Sequence, residues 1–313
     1  MKLALCTDVL GDLSFTEMLD KVKELGIEAV EMTAGGWGGC CHVPTQELLE
    51  DDDKLAAYKA EIEKRGMEIA ALNCSGNPLS PAKMGELHTK SIYDTAVLAG
   101  RLGVEKLVMR SGLPAGAPGD KTPNWITSTV SWPDYMEETV RYQWEDVAIP
   151  WWKKFVEHCK EQGVKQIAIE EFPCQLVYNP ETLLKLRDAV DPMIGMNMDP
   201  SHLIAMGADP IAAVRALEGC IYHVHGKDAR IERGLCDVNG LAEYKPVTDT
   251  KNRTWNYVAV GCGQDLQWWK EFFSVCHMMG YDGHVSLEME DLTMSVEAGL
   301  STSIDALNQT ISK

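Results

Sequence analysis

The sequence predicts an α/β fold, a (β/α)8 barrel in which eight parallel strands alternate with helices. Two observations predict it. Eight short apolar runs recur along the 313 residues, and the stretches between them carry apolar residues at three- and four-residue spacing. The length is ordinary for one such barrel, so we expect a single domain over residues 1–313. The predicted strands cover residues 3–9, 28–34, 68–74, 106–111, 166–171, 194–199, 221–226 and 284–289.

The segments between the strands carry helix start and stop signals. FTEMLDKVKELG follows Ser14, whose side chain suits a helix N-cap, and it ends at Gly26. KLAAYKAEIEKRG ends at Gly66 in the same way. Later stretches with the helical period read NPETLLKLRDAV, DPIAAVRALEG and LQWWKEFFSVCHMMG. The alternation of strand and helix is therefore kept along the whole chain.

One connection is much longer than the others. Between the strand that ends at Ser111 and the helix that carries Trp151 lies an insertion at about residues 112–150. Structureless connections of this length are uncommon in compact domains and often form lids or binding loops. Its aromatic side chains either cover a substrate or partner, or pack against the barrel. They are Trp125, Trp132, Tyr135, Tyr142 and Trp144.

Composition excludes two classes of partner. A formal net charge of -18 argues against nucleic acid, because such binding rests on Lys and Arg that neutralise phosphates. No apolar run approaches the roughly 20 residues that span a bilayer, and MKLALCTDVLGD is unlike a signal peptide. We therefore expect a cytoplasmic protein whose ten cysteines are reduced thiols.

Four of the predicted strands end in residues that bind metal ions. They are Glu170 in IAIEEF, Asp199 in NMDPSH, His225 in HVHGKD and Glu288 in SLEMED. We expect these side chains to converge, because active sites of such barrels lie at the C-terminal ends of the strands. Three carboxylates and one imidazole suit a hard to borderline divalent cation. The prediction is Mn, with Mg or Co as alternatives.

Further residues are candidates to contact a substrate. His202, three residues after Asp199, is predicted to face a substrate oxygen rather than the ion. His223 shares the strand face of His225 but lies deeper, which favours a role in the core. The loop residue His42 is a further candidate acid or base. The remaining candidates for substrate contact are Trp37, Asn73, Trp125 and Lys227.

The ligand set indicates a reaction class. An ion held by three anionic oxygens stays Lewis-acidic when neutral oxygens, such as a sugar's carbonyl and hydroxyl, fill its open positions. A 2-hydroxyketone bound in this way is held in the plane that suits enolisation, and a nearby carboxylate can take or return the proton. Glu170, Glu288 and His202 are the predicted catalytic residues.

Six segments resemble the xylose isomerase-like barrel family, also described as sugar phosphate isomerase/epimerase-like. The four predicted ligands match that family's metal ligands. The resemblance implies that Glu170 and Glu288 also serve as acid and base on opposite faces of the sugar. It also implies that His202 and Arg230 hold substrate oxygens. The segments are LNCSGNPLSP at 72–81, SGLP at 111–114, LVYNPETLLKLR at 176–187, NMDPSHL at 197–203, HVHGKDAR at 223–230 and SLEMED at 286–291.

Two subgroups of that family are relevant. Its DNA-repair endonucleases carry extra histidines for three zinc ions, whereas the third and fourth strands here end in Asn73 and Ser111, which disfavours a nuclease. GNPLSP and the aromatic insertion are similar to the catalytic α subunits of C-glycoside deglycosidases. That similarity implies a small β subunit as partner, with a homo-oligomer as the alternative.

Three interpretations of function follow. In the first, the protein is a lyase that enolises a 3-oxo-glycoside and expels the aglycone by β-elimination. In the second, it isomerises or epimerises a free keto sugar through the same enediolate. In the third, it is a metal-bearing subunit that is inactive without its partner. The aromatic insertion favours the lyase, because a polyphenol needs more flat surface than a free sugar.

Overall fold

The computed structural model describes residues 1–127 and 133–311, and it contains the predicted barrel. Eight of the strands are parallel and close on themselves, and each pairs with its neighbours in chain order. The strands are β1 Lys2–Cys6, β2 Ala29–Thr33, β3 Glu68–Asn73, β4 Lys106–Arg110, β5 Gln166–Glu170, β6 Ile194–Met198, β7 Ile221–Gly226, β8 Asp228–Ile231, β9 Trp255–Val258 and β10 His284–Leu287.

Helices follow the strands around the outside of the barrel. A short 3-10 turn covers Thr7–Leu10 and a π-helix covers Tyr142–Ala148. The α-helices are α1 Phe15–Glu24, α2 Thr45–Glu50, α3 Asp52–Lys64, α4 Lys83–Leu102, α5 Pro133–Arg141, α6 Ile149–Glu161, α7 Pro180–Ala189, α8 Pro200–Met206, α9 Pro210–Ala216, α10 Arg233–Asn239, α11 Leu266–Met278 and α12 Val296–Thr310.

All eight predicted barrel strands are confirmed, and their bounds differ from the predicted ones by at most three residues. Strand β1 pairs with β2 on one side and with β10 on the other, which closes the barrel. The register shifts at two places, between Val30 and Glu31 in β2 and between Met196 and Asn197 in β6. Such bulges re-aim side chains next to active sites.

The predicted cap of the first helix is also confirmed. Ser14 and Glu17 form a capping box, in which the Ser14 backbone N–H donates to the Glu17 carboxylate at 3.0 Å. Gly26 follows α1 with φ +75, a left-handed conformation that glycine adopts without strain. The apolar faces of the helices pack on the strands. The largest fully buried aromatic residues of this core are Trp152, Trp269, Phe155, Phe272 and Phe273.

The structure differs from the sequence analysis in the insertion at 112–150. Residues 133–148 are helical, and α5, the π-helix and α6 follow one another without a break. The expected structureless connection was wrong for this half, because PDYMEETVR already has an amphipathic helical period. Trp144 is buried and packs in the core. Trp132 lies outside the described residues.

A second difference is a two-stranded antiparallel ribbon, β8–β9, which the sequence analysis missed. It follows β7 directly, so it lies next to the C-terminal end of the barrel. The two strands, DARI and WNYV, are too short to show a period. Asp228 at the start of the ribbon accepts hydrogen bonds from the backbone N–H groups of Gly261, Gly263 and Gln264, and so anchors the following turn.

All ten cysteines are free thiols, as the sequence analysis expects. Among residues 1–127 and 133–311, no helix is both long and apolar enough to cross a membrane.

Candidate metal and substrate site

The four predicted ligands meet at the C-terminal end of the barrel. Glu170 ends β5, Asp199 follows β6 as the N-cap of α8, His225 lies in β7, and Glu288 directly follows β10. One ligand atom from each lies within 4.8 Å of the ligand atoms of the others, so together they could hold a metal ion. Three of the side chains are almost fully buried, and Glu288 is 23% exposed.

The imidazole of His225 lies at the centre of this group. Its Nδ1 is 3.3 Å from Glu170 Oε1, 3.5 Å from Asp199 Oδ2 and 3.2 Å from Glu288 Oε2. His225 Nδ1 and Asp199 Oδ2 are buried, and neither has a hydrogen-bond partner among the described residues. Buried polar atoms normally have partners. Two such atoms, 3.5 Å apart among carboxylates, fit the ligand atoms of a cation site.

Two cations, the half-buried Arg110 and the buried Lys227, flank the group and favour the ionised form of its glutamates. Arg110 Nε donates to Glu170 Oε2 at 2.7 Å, and Lys227 Nζ donates to Glu288 Oε2 at 2.9 Å. Burial, the largest single influence, would raise the pKa of Glu170, but Arg110, His202 and His225 together hold that pKa well below its usual range. Burial likewise opposes the charge of Glu288, yet Lys227 and His225 lower its pKa to about 2.

His202 lies beside the same group. Its Nε2 is 3.3 Å from Glu170 Oε1 and 3.3 Å from Asp199 Oδ2, and its Nδ1 is 3.2 Å from the hydroxyl of Tyr257. Tyr257 comes from the ribbon strand β9, and its ring lies 4.4 Å from Lys227 Nζ. The ribbon therefore adds the phenol of Tyr257, which contacts the His202 imidazole at the edge of the ligand group.

A cavity of about 540 Å³ opens above these residues. Arg110, Tyr257 and Glu288 give it a polar inner part. Its other polar lining residues are Asp8, Thr250, Arg253, Asn256 and Glu290. Polar and apolar side chains line it together, which suits a ligand that has both polar groups and apolar surface. The apolar lining residues are Val9, Phe172, Val247, Met289 and Leu292.

A second polar layer lies beneath the ligand group. Glu31 is 2% exposed, and both of its carboxylate oxygens lie 3.2 to 3.3 Å from His225 Nε2. Its Oε1 accepts from Asn73 Nδ2 at 2.8 Å, and its Oε2 lies 2.9 Å from His223 Nε2. His223 therefore has the core position that the sequence analysis gives it.

Two of the predicted substrate residues do not reach the group. Arg230 pairs with Glu232 at 2.8 Å and lines a separate surface cavity beside α10. It pairs with Asn256, the neighbour of Tyr257 on β9, so its side chain lies on the opposite face of the ribbon from Tyr257. His42 is buried, with Nδ1 3.1 Å from the Thr7 hydroxyl and Nε2 3.2 Å from the Leu13 carbonyl oxygen. Both of its ring nitrogens hold loops together instead of facing the cavity.

Of the other predicted substrate contacts, some lie near the ligand group and some do not. Lys227 joins the site through Glu288, and the Trp37 ring, which does not line the cavity, lies 5.7 Å from the guanidinium of Arg110. Asn73 is committed to Glu31 and to the backbone N–H of Ser75. Trp125 lines a different cavity and packs edge-on against Tyr178, with ring centroids 6.0 Å apart.

Sequence reasoning missed Arg110, Tyr257 and Glu31. Arg110 ends β4 next to Ser111, so the rule that located the ligands could have found it. Glu31 is a charged residue inside a predicted strand that is buried throughout, which is a recognisable signal. Tyr257 had no such signal, because its ribbon had not been predicted.

Comparison with known proteins identifies a close relative. The chain is 61% identical over 313 residues to the uncharacterized protein YfiH of Bacillus subtilis (strain 168), and the match covers all of both chains.

Solved structures share the fold at low sequence identity. The probable 3-DHS dehydratase AsbF of Bacillus anthracis, involved in petrobactin synthesis, has a TM-score of 0.68 at 18% identity, covering 98% of this chain and 99% of that one. A D-tagatose 3-epimerase-like protein has a TM-score of 0.66 at 20% identity, covering 99% and 97%. The IOLI protein with a bound zinc atom has a TM-score of 0.67 at 18% identity and covers both chains completely.

The family model described as xylose isomerase-like TIM barrel matches residues 19–310, which is nearly the whole chain. On this match, the protein belongs to the xylose isomerase-like TIM barrel family.

Proposed function

We propose that this protein is a divalent-metal-dependent enzyme that enolises an oxo-sugar by removing the proton beside its carbonyl group. The observation that carries the proposal is the group of Glu170, Asp199, His225 and Glu288, of which Glu288 lines a cavity and both glutamates are paired with a cation. Its similarity in fold to epimerases and a dehydratase agrees with this class of chemistry.

The same four residues would hold the ion. We propose Mn, with Mg or Co as alternatives; the solved relatives include one with zinc and one with magnesium. A bound divalent ion would polarise the carbonyl and the neighbouring hydroxyl of the substrate.

The protein's own groups then carry the proton. Glu170 and Glu288 are both ionised at neutral pH, so either carboxylate can accept the proton from carbon. Arg110 and Lys227 hold these carboxylates in place and offer positive charge near the oxygen on which negative charge develops. His202 and Tyr257 stand beside them as a hydrogen-bonded pair that can contact a substrate hydroxyl.

For the product we propose β-elimination from a 3-oxo-glycoside, as a C-glycoside deglycosidase catalytic subunit would perform it. The base removes the proton from the carbon beside the ketone, a carbon–carbon double bond forms, and the aglycone leaves the anomeric carbon with its bonding electron pair and takes up a proton. Val247, Met289 and Leu292 in the cavity lining support this choice, because they offer apolar surface to a leaving group. The packing of Trp125 in a separate cavity removes the support that the insertion gave.

The second candidate is isomerisation or epimerisation of a free keto sugar. The two glutamates favour it, because a proton taken by one carboxylate can be returned by the other. A requirement for a partner, either a small β subunit or a second copy of this chain, is a third proposal that goes with the deglycosidase resemblance. The cytoplasmic location stays a proposal as well.

The test is anaerobic turnover of the Mn-loaded protein in deuterated water, with mass spectrometry of the products. One sample contains a 3-oxo-C-glucoside and the other contains free ketohexoses. Release of aglycone that disappears in Glu288→Gln is the expected result. Deuterium in a ketohexose without aglycone release would establish the second candidate instead. The absence of both signals with every divalent metal tested would contradict enolisation.

A further inference from the structure

The layer beneath the ligand group contains a buried carboxylate that the proposed reaction does not use. Glu31 is 2% exposed. The pairing of β2 with β3 shifts register beside it: Val30 pairs with Ile69 and Glu31 with Ala71, so the extra residue, Ala70, belongs to β3. Here the Glu31 side chain lies in the barrel interior, below the floor of the cavity.

Three neighbours on two strands hold this carboxylate. Asn73 in β3 donates to Oε1 at 2.8 Å, His223 in β7 lies 2.9 Å from Oε2, and His225 in β7 lies 3.2 to 3.3 Å from both oxygens. A buried carboxylate with this many donors is fixed in position. It is therefore a rigid acceptor rather than a mobile one.

The two nitrogens of His225 face different surroundings. Nε2 faces Glu31, whereas Nδ1 faces the three carboxylates of the ligand group at 3.2 to 3.5 Å. A neutral imidazole carries one ring proton, and a metal ion needs the nitrogen that lacks it. The side-chain amide of Asn197 also lies 3.1 Å from Nε2, but a neutral amide accepts a ring proton less strongly than the Glu31 carboxylate does.

We propose that Glu31 is a positioning residue that accepts the Nε2 proton of His225 and thereby orients its Nδ1 lone pair towards a bound divalent ion. Histidine ligands commonly donate their other N–H to a carboxylate, which fixes the ring and makes the liganding nitrogen more basic. This inference rests on the metal site of the proposed function, and it holds for either product.

The test compares two variants of Glu31 with a control variant of Ser286, which contacts His223 in the same layer. Glu31→Gln keeps one neutral acceptor oxygen and Glu31→Leu keeps none. Ser286→Ala removes the hydroxyl that lies 2.8 Å from His223 Nε2 and leaves the contact between Glu31 and His225 in place. The Mn²⁺ affinity of each protein is measured by competition with a fluorescent chelator.

A second readout is the His225 imidazole itself, by NMR of ¹⁵N-histidine-labelled protein loaded with Zn²⁺, which is diamagnetic. We expect Glu31→Leu to weaken Mn²⁺ binding by about 10- to 100-fold and Glu31→Gln by less, with Ser286→Ala within about twofold. The Nε2–H signal of His225 should show a strong hydrogen bond in the wild type and in Ser286→Ala, and should lose it in Glu31→Leu.

Three results would overturn the inference. Unchanged Mn²⁺ affinity in both Glu31 variants would remove the positioning role alone. Binding of Zn²⁺ through Nε2 of His225 in the wild type would also overturn the positioning role. This result needs no variant, so it can be obtained even if the Glu31 variants do not fold. If the wild type binds neither ion, the metal site of the proposed function fails as well, and the two failures are thus distinguishable.

Discussion

Arg110 donates a 2.7 Å hydrogen bond from Nε to Oε2 of Glu170, and the two residues end adjacent barrel strands. The guanidinium also lies 3.6 Å from the centre of the Phe172 ring, so it is held from two sides at the inner end of the cavity. A planar cation beside a ligand carboxylate fixes the direction of that carboxylate's second oxygen.

Replacing Arg110 should therefore impair the reaction more than the fold. We expect Arg110→Met to lower kcat/KM by about 100-fold, because displacing a catalytic carboxylate by about 1 Å reduces the rate by this factor. Arg110→Lys should recover only part of the loss, since an ammonium cannot reproduce the planar contact. Arg101→Met is the matched control, because Arg101 bonds outer-surface groups on α2 and α3; steady-state kinetics should show it within about twofold of wild type.

The pair of Lys227 and Glu288 predicts a pH-dependent contribution to stability. Lys227 is 2% exposed, and its removal leaves the negative charges of Glu290, Glu288 and Asp199 unbalanced, at 2.6, 2.9 and 3.9 Å from its Nζ. Breaking a buried pair costs about 3 kcal/mol, so Lys227→Met should lower the free energy of unfolding of the metal-free protein by about this amount near neutral pH.

The sign of the pH effect follows from the depressed pKa of Glu288, which is about 2 in the folded protein. The stabilisation is present above the ordinary carboxyl pKa and is lost as the pH falls towards the folded value. Urea unfolding at several pH values should show that the difference in free energy of unfolding between wild type and Lys227→Met becomes smaller in acid. If this difference stays constant or becomes larger in acid, the ion pair is not the source of the stabilisation.

Metal binding should stabilise the folded protein. Mn²⁺ at about 100 times its Kd should add about 2.7 kcal/mol to the free energy of unfolding, because the unfolded chain lacks the site. Asp199→Asn should abolish most of this gain. Asp209→Asn is a suitable control, since Asp209 caps α9 as Asp199 caps α8 but lies outside the ligand group. Differential scanning calorimetry with and without Mn²⁺ measures both.

Trp125 and Tyr257 should respond differently to substitution. Trp125 packs against Tyr178 in a separate cavity, so Trp125→Ala should reduce stability and leave kcat/KM within about twofold. Tyr257 lines the main cavity and contacts His202, so Tyr257→Phe should lower kcat by about 10- to 100-fold with little change in stability. A large loss of kcat/KM in Trp125→Ala would restore the insertion as a substrate cover.

Much of this site can be predicted from the sequence, and the reason is geometric. Glu170, Asp199, His225 and Glu288 each follow an apolar strand, and parallel strands in a closed barrel bring their ends together without any further information. Local periodicity is enough to find such residues.

The contacts that were missed depend on longer-range geometry. Arg230 falls on the face of the ribbon away from Tyr257, and nothing in the sequence reveals the ribbon that decides this. His42 looked available for chemistry, but Thr7 and the Leu13 carbonyl group use both of its ring nitrogens. Such hydrogen-bond partners come from separate loops, and their pairing depends on the finished fold.

The most direct test of the account is the position of the ion. Crystals of the protein grown with Mn²⁺ should give one strong anomalous difference peak, recorded near the manganese absorption edge, among Glu170, Asp199, His225 and Glu288. The structure also brings together a second group, Cys6, Glu31 and His225, that could hold an ion. A peak in that second group, or no peak at saturating Mn²⁺, would contradict both the metal site and the enolisation that depends on it.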